Sequence, residues 1–556
     1  MKKKHPEVTK YTLFSIGMLQ IAISVLIKYH IKWLNPFFKY YIEHYKFLRQ
    51  NKININLPIN PKIHLLNNVL NNVFFAYVSL FLTTISPYCL SNHYVNYHSP
   101  TVAQSTVPIY TIYTLFGSIS LIYFLLSNFV IVITHGHKPD RVGIRWLLPS
   151  LKVYYIPFIP IASSATLPNF FTSLPYLRTI LLREHIQLVH AHASLSSIGH
   201  EGILHSHLMG IRTVFTDHSL FGFEDAASIL TNKLLVATLK NVDAVICVSH
   251  TGRENTVLRG QLFEKEKDDP TKLSVRRDVY VIPNAIIAEQ FKPRPSKPSE
   301  MIDAPIVTIV VLSRLAYRKG IDLLVATAPQ ICATFPNVRF VIGGDGPKLI
   351  DLLQMREKHL LQDRIELLGA VRHNDVLSVL SRGSIFMNTS LTESFGIAIL
   401  EAACAGLYVV STRVGGVPEI LPQDLISFAE PEADDVFRAI SEAITIVAAG
   451  KHDPIKAHER VRTFYGWRQV AARTEKVYNA VMHSHQMELM ERIERTMDLG
   501  PFAGPIYTII LLVDCIFFLV LEWFYPREDL DFVEHHWDDD VLVKSKPVSS
   551  RRGINA

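Results

Sequence analysis

The stretch IFMNTSLTESFGIAILE, residues 385–401, decides how this chain is read. Its first six residues are a short, largely apolar run of strand character. Glu393 to Glu401 then place small and apolar residues at helical spacing. Strand, turn and helix in that order are half of a βαβ unit. With the helix beginning near Gly396, the backbone N–H groups of Ser394, Phe395 and Gly396 face the position where a helix N-terminus favours an anion. Glu401 then lies about 7 to 8 Å farther along the axis, at a rise of about 1.5 Å per residue. Its carboxylate suits a vicinal diol such as a ribose, while Glu393 suits sugar hydroxyls near a reacting carbon. A nucleotide sugar needs both. Taken alone, the same residues also fit an ordinary capped amphipathic helix.

Working outward, the alternation of short apolar runs with amphipathic stretches extends over most of the chain. IVTIVVLSR (306–314), FVIGGDG (340–346), IELLGA (365–370), YVVSTR (408–413) and LISFAE (425–430) read as strands around the opening segment. FVIVIT (129–134), VYYIPF (153–158), QLVHAH (187–192), RTVFTDH (212–218), AVICVS (244–249) and VYVIPN (279–284) form an earlier set. The two sets are separated at 291–304, where Pro293, Pro295 and Pro298 sit among charges without periodicity. The expected fold is α/β, with two Rossmann-like domains over 128–290 and 305–455 facing one cleft. A helical connector follows over 456–505.

Three further motifs carry chemistry. Arg314-Leu-Ala-Tyr-Arg-Lys319 ends the first strand of the second domain, so Arg314 and Lys319 can offset charge on a departing diphosphate. A solvated basic loop is the plainer reading. Gly343-Gly344-Asp345-Gly346 follows another strand and resembles a phosphate turn; a turn-forming Gly344 close to the donor is favoured. In the first domain His190, His192 and His218 end strands and point toward the cleft. His190 and His192 share a face, but no third metal ligand accompanies them, so a solvent-lining or acceptor-positioning role is expected. His218 suits a sugar hydroxyl or leaving phosphate, or is a satisfied structural histidine. Asp268 and Asp269 read as solvated.

The chain has 556 residues and a formal charge of +6, largely from its first 137 residues, where eleven Lys and Arg face only Glu7 and Glu43. No broad basic field remains for nucleic acid. The five cysteines at 89, 247, 332, 404 and 515 have neither zinc-ligand spacing nor a disulfide pattern. Ile506 to Phe524 is apolar enough for a membrane helix, although Asp514 near its middle demands a partner, which another subunit could supply. Arg492 and Arg495 before it, and Asp538 to Asp540 in the polar tail 525–556, place the preceding domains in the cytosol by the positive-inside rule. Residues 1–127 are atypical: apolar runs at 11–27, 73–90 and 109–126 read either as membrane helices or as translated AT-rich non-coding sequence. Three crossings contradict the C-terminal orientation, so one of the two assignments fails.

The residues from about 128 to 464 resemble the retaining family-4 glycosyltransferases of GT-B fold, whose hallmark Glu-x7-Glu is here Glu393 and Glu401. VFTDHSLFGF (214–223), SILTNKLL (228–235), ENTVLRG (254–260), VIPNAI (281–286), LSRLAYRKGIDLL (312–324) and STRVGGVPEILP (411–422) are similar, more narrowly, to the family of catalytic subunits of phosphatidylinositol N-acetylglucosaminyltransferase. That resemblance implies transfer from UDP-N-acetylglucosamine to phosphatidylinositol with retention, the first step of GPI-anchor synthesis. It also implies a multisubunit complex at the cytosolic face of the endoplasmic reticulum, and no metal or other cofactor. By the same resemblance Arg314 and Lys319 bind the diphosphate, Glu401 the ribose, Glu393 the donor sugar, and His218 serves the catalytic centre. The family's entry strand with a Gly-Gly-Val-Glu loop is not found ahead of Phe129, so the first domain is expected to lack that strand. Because no carboxylate nucleophile is identifiable, front-side attack is the expected route to retention. Another lipid-acceptor glycosyltransferase of this fold, or a scaffold without activity, are the competing readings; the long βα pattern argues against a polytopic transporter.

Overall fold

Strands buried on both faces organise the second domain. In the computed structural model, which describes residues 130–136, 141–148, 151–157, 170–220, 226–265, 272–293 and 306–532, this domain contains six strands. They are β10 (Val307–Leu312), β11 (Val338–Gly343), β12 (Ile365–Gly369), β13 (Ile385–Asn388), β14 (Tyr408–Thr412) and β15 (Ile426–Ala429). Val307, Ile309 and Val311 of β10 join the core on one face, and Val310 the core on the other. Such strands pair in parallel, with crossover helices covering both sides. All five pairings are parallel, in the order β12-β11-β10-β13-β14-β15. The order reverses between β10 and β13, opening a crevice at their C-terminal ends.

The first domain is built in two pieces. β4 (Leu188–His192), β5 (Arg212–Asp217), β6 (Ala244–Cys247) and β9 (Val279–Val281) form one parallel sheet in that order. A separate sheet has the order β1-β3-β2, from β1 (Val130–His135), β2 (Gly143–Leu148) and β3 (Leu151–Ile156). Among the described residues no strand joins β1 to β4. The pieces are packed together by apolar contact, since Ile198 of the helix after β4 packs against the cluster of Tyr154, Ile156 and Ile180. The alternation pattern does not announce β2, which runs antiparallel to β3. Ile144, Trp146 and Leu147 are all exposed on this edge strand, so it lacks an inside-outside period.

The connector returns to the first domain. α11 (Trp467–Met482) sets Trp467, Val470, Val477 and Val481 against Val214, Ala244 and Ile246 of the first sheet. Then α12 (Leu489–Met497) leads to α13 (Ala503–Phe524), which starts three residues before the expected span. Its 22 residues have a mean hydropathy of 2.3 over the most apolar window, long and apolar enough to cross a membrane. The protein buries 44% of that window.

Asp514 has its partner within the chain, not on another subunit. His205 of α2 (Ser197–Leu208) lies with Nδ1 2.9 Å from Asp514 Oδ2, both side chains fully buried. An imidazole protonated on Nδ1 donates there and accepts from Ser173 Oγ, 3.3 Å from Nε2. Arg178 of α1 (Phe170–Arg183) binds Glu522 at 2.6 Å and the Tyr525 carbonyl at 2.7 Å. The arginines ahead of the helix are also engaged: Arg492 is buried, and Arg495 bonds Glu491 at 2.8 Å. The apolar runs of 1–127, Asp268, Asp269, most of the 291–304 linker and the acidic tail fall outside the described residues.

Removing one partner of the buried pair strands the other. His205→Leu is expected to lower unfolding stability by about 3 kcal/mol, while the double change with Asp514→Leu recovers most of the loss. Thermal and denaturant unfolding in detergent measure both.

Candidate active site

The crevice between β10 and β13 is closed by contacts between the loops that leave them. After β10, a short turn over Tyr317–Lys319 leads into α5 (Ile321–Thr334). Leu391 N donates to the Arg318 carbonyl at 2.9 Å, and Thr389 Oγ1 to the Lys319 carbonyl at 3.0 Å. Across this junction Lys319 Nζ lies 2.5 Å from Glu393 Oε2, with Ser390 Oγ at 3.4 Å from the same oxygen. The predicted diphosphate and sugar residues are therefore in direct contact. Arg314 stands exposed on the same β10 loop.

α8 (Ile397–Cys404) starts one residue after Gly396. Among the described residues the N–H groups of Ser394, Phe395 and Gly396 donate no backbone hydrogen bond, so three donors stand at the helix start. Phe395 is anchored in the core, 3% exposed, with its ring 6.0 Å from that of Tyr465. Glu401 is 5% exposed and no described residue hydrogen-bonds its carboxylate. Burial pushes that carboxyl up from 4.5 to about 8. A mostly buried carboxyl that no described residue engages is what a diol ligand completes. Gly344 behaves as a turn former: at φ +146°, an added Cβ would sit 1.9 Å from the Ser313 carbonyl oxygen. Its close approach is to the β10 loop.

On the facing side, the three histidines form one stack. The rings of His190 and His192 lie 4.2 Å apart, and those of His192 and His218 5.5 Å apart. His190 is held by Thr216 Oγ1 at 2.6 Å and Tyr478 Oη at 2.7 Å, while His192 Nδ1 is 3.2 Å from His218 Nε2. Burial lowers the basicity of all three, His190 to about 3. His190 is thus spent on Thr216 and Tyr478, while His192 and His218 contact each other. Among the described residues no group of three or more His, Cys, Asp or Glu is placed to hold a metal ion.

Two supports were not legible in the motifs. Asp217, 2% exposed, accepts from Ser194 Oγ at 2.7 Å, Ser219 N at 3.0 Å and Thr256 Oγ1 at 2.9 Å, fixing the loop that carries His218. Tyr478 comes from α11, 288 positions along the chain from His190. Only the Thr216-Asp217-His218 run hinted at the first, and nothing local signalled the second. The site closes through Ser394 Oγ, which donates to the His218 carbonyl at 2.6 Å.

The raised Glu401 carboxyl gives a sign for pH dependence. Between pH 4.5 and about 8 the folded chain keeps a proton that the unfolded chain releases, so this group makes stability fall as pH rises and then level off. Glu401→Gln is expected to melt progressively higher than the parent across that window, and to bind a nucleotide-sugar donor more weakly. Melting curves against pH and donor titration check the two effects.

Comparison with known proteins gives the same picture. A family model described as PIGA (GPI anchor biosynthesis) matches residues 135–225, and one described as Glycosyl transferases group 1 matches residues 297–452. The chain is 50% identical over 406 residues to the phosphatidylinositol N-acetylglucosaminyltransferase gpi3 subunit of Schizosaccharomyces pombe, covering 73% of this chain and 85% of that one. It is 45% identical over 404 residues to a phosphatidylinositol N-acetylglucosaminyltransferase subunit of Homo sapiens, covering 72% and 80%. In fold it is similar to the sucrose-phosphate synthase of Thermosynechococcus elongatus, with TM-score 0.53, 20% identity, and 67% of this chain and 93% of that one covered. A glycosyltransferase of Rickettsia africae superposes with TM-score 0.51 at 15% identity, covering 69% and 98%. With two domains of GT-B architecture, a Glu393–Glu401 helix start at the crevice and this extent of identity, the chain belongs to the PIGA/gpi3 family of phosphatidylinositol N-acetylglucosaminyltransferase subunits.

Proposed function

We propose that this chain transfers N-acetylglucosamine from UDP-N-acetylglucosamine to phosphatidylinositol, the first step of GPI-anchor synthesis. The observation that carries the reading is the Lys319–Glu393 contact beside three amides that make no backbone hydrogen bond among the described residues, and the buried Glu401. Each group answers one part of a nucleotide sugar. Glu401 takes the ribose diol, the amides of Ser394 to Gly396 and the cations Arg314 and Lys319 take the diphosphate, and Glu393 takes the sugar hydroxyls. Donor binding exchanges the internal Lys319–Glu393 contact for contacts to phosphate and sugar.

The reaction we infer is front-side displacement with retention. The bond from the anomeric carbon to the β-phosphate oxygen breaks, and its electron pair stays on that oxygen. The inositol oxygen bonds to the same face of the carbon and its proton passes to the departing phosphate. Arg314 and Lys319 offset the charge that grows on the phosphate, so this route calls on no metal. We assign His218, which contacts His192, to the sugar side of the same cleft.

The apolar α13 associates the chain with a membrane, which suits a lipid acceptor. We place the active site on the cytosolic face of the endoplasmic reticulum, within a multisubunit complex. The test is incorporation of labelled N-acetylglucosamine into phosphatidylinositol by membranes from cells that lack the endogenous enzyme and express this chain. Product from UDP-N-acetylglucosamine and none from GDP-mannose is expected; product from GDP-mannose points to a different lipid-acceptor transferase, and none from either to a scaffold. Lys319→Ala is expected to lose about 100-fold or more in turnover, with a smaller loss of donor affinity because Arg314 and the amides still hold the diphosphate. Unchanged turnover in that variant rules out the assigned role.

A further inference from the structure

Glu419 belongs to neither the donor nor the acceptor groups above, yet its carboxylate crosses the cleft. It ends the turn Val417–Glu419 of the second domain. Its Oε2 accepts from the backbone N–H of His250 at 2.6 Å, and Oε1 from the N–H and the hydroxyl of Thr251, each at 2.9 Å. His250 and Thr251 are the first two residues of α4 (His250–Gly260) in the first domain. A helix leaves its first N–H groups unpaired and carries partial positive charge there, so an anionic cap from the opposite domain satisfies both needs.

A second, independent set of contacts ties this cap to the donor loop. Ser249, the N-cap of α4, accepts from Gly252 N at 2.9 Å and donates to the Ser394 carbonyl at 2.7 Å. Gly416 N donates to the Glu393 carbonyl at 3.0 Å. Any Cβ on Gly416 would lie 2.3 Å from the Ser394 carbonyl oxygen and 2.7 Å from Ser249 Oγ, so only glycine fits between that carbonyl and the Ser249 side chain. The segment 416–419 is therefore wedged between the start of α4 and residues 393–394.

We propose that Glu419 is a positioning residue for the transfer reaction: by capping α4 across the cleft it holds the two domains closed, and so sets Glu393 and the amides of Ser394 to Gly396 at the spacing the donor requires. The cap is solvent-exposed, and charge-assisted bonds in water are modest in net strength, so the domains open again to release product. The reaction assigned to the cleft rests on the proposed function; the closure itself does not.

The test uses the full chain in lipid nanodiscs, with spin labels at Leu258→Cys on α4 and Ile350→Cys on α6 (Leu349–Lys358), both exposed sites. Distances between the labels are measured with and without UDP, alongside donor KM and kcat. With Glu419→Ala the distance distribution is expected to broaden toward longer separations, and donor kcat/KM to fall at least about tenfold, while the melting temperature stays near the parent's. Glu419→Gln, which keeps one acceptor oxygen, is expected to lie between, and serves if the alanine variant fails to fold. Parent-like distances and parent-like donor kinetics in either variant overturn the proposal. Absence of transfer by the parent chain counts against the assigned reaction alone, because the distances still report the latch.

Discussion

The whole site hangs on one constraint, the burial of the β10 to β15 sheet on both faces. Strands with apolar side chains on each side need helices above and below, and such helices come only from parallel crossovers. A sheet wound outward in two directions from its centre must reverse somewhere, and here it does so between β10 and β13. The helices that follow these strands, α5 and α8, pack on opposite faces of the sheet, so the two loops diverge. Lys319 and Glu393 meet in that gap because the topology, not their separation of 74 positions in sequence, makes them neighbours.

The first domain contributes through rigidity. Asp217 gathers hydroxyl and amide donors around the loop bearing His218, and Arg259 stands 3.8 Å from its carboxylate. The resulting loop delivers its carbonyl to Ser394 of the other domain. α11 crosses back over this domain's sheet and brings Tyr478 to His190, so the second half of the chain helps to shape the first half's side of the cleft. Although formally two domains, they share one set of hydrogen bonds at the site.

The C-terminal helix extends this sharing toward the membrane. A carboxylate amid apolar residues is costly without a partner, and His205 supplies one from the body of the first domain. Arg178 repeats the arrangement near the end of the helix. The C-terminal helix is thus fixed to the first domain at two points along its length.

Period and motif determined the βα alternation of both halves, the strand-turn-helix at 385–401 and the spacing of Glu393 and Glu401 along it, because these depend on residues within one or two turns of each other. The apolar C-terminal helix was legible for the same reason. Tertiary structure alone decided the partner of Asp514, the contact of Lys319 with Glu393, the enclosure of His190 by Tyr478 and the reach of Glu419 to α4. It also showed the exposed strand β2, which has no buried face to leave a pattern, and the division of the first domain's strands into two sheets. Each of these joins groups far apart along the chain, and a hydrogen bond between distant residues leaves no period in either neighbourhood.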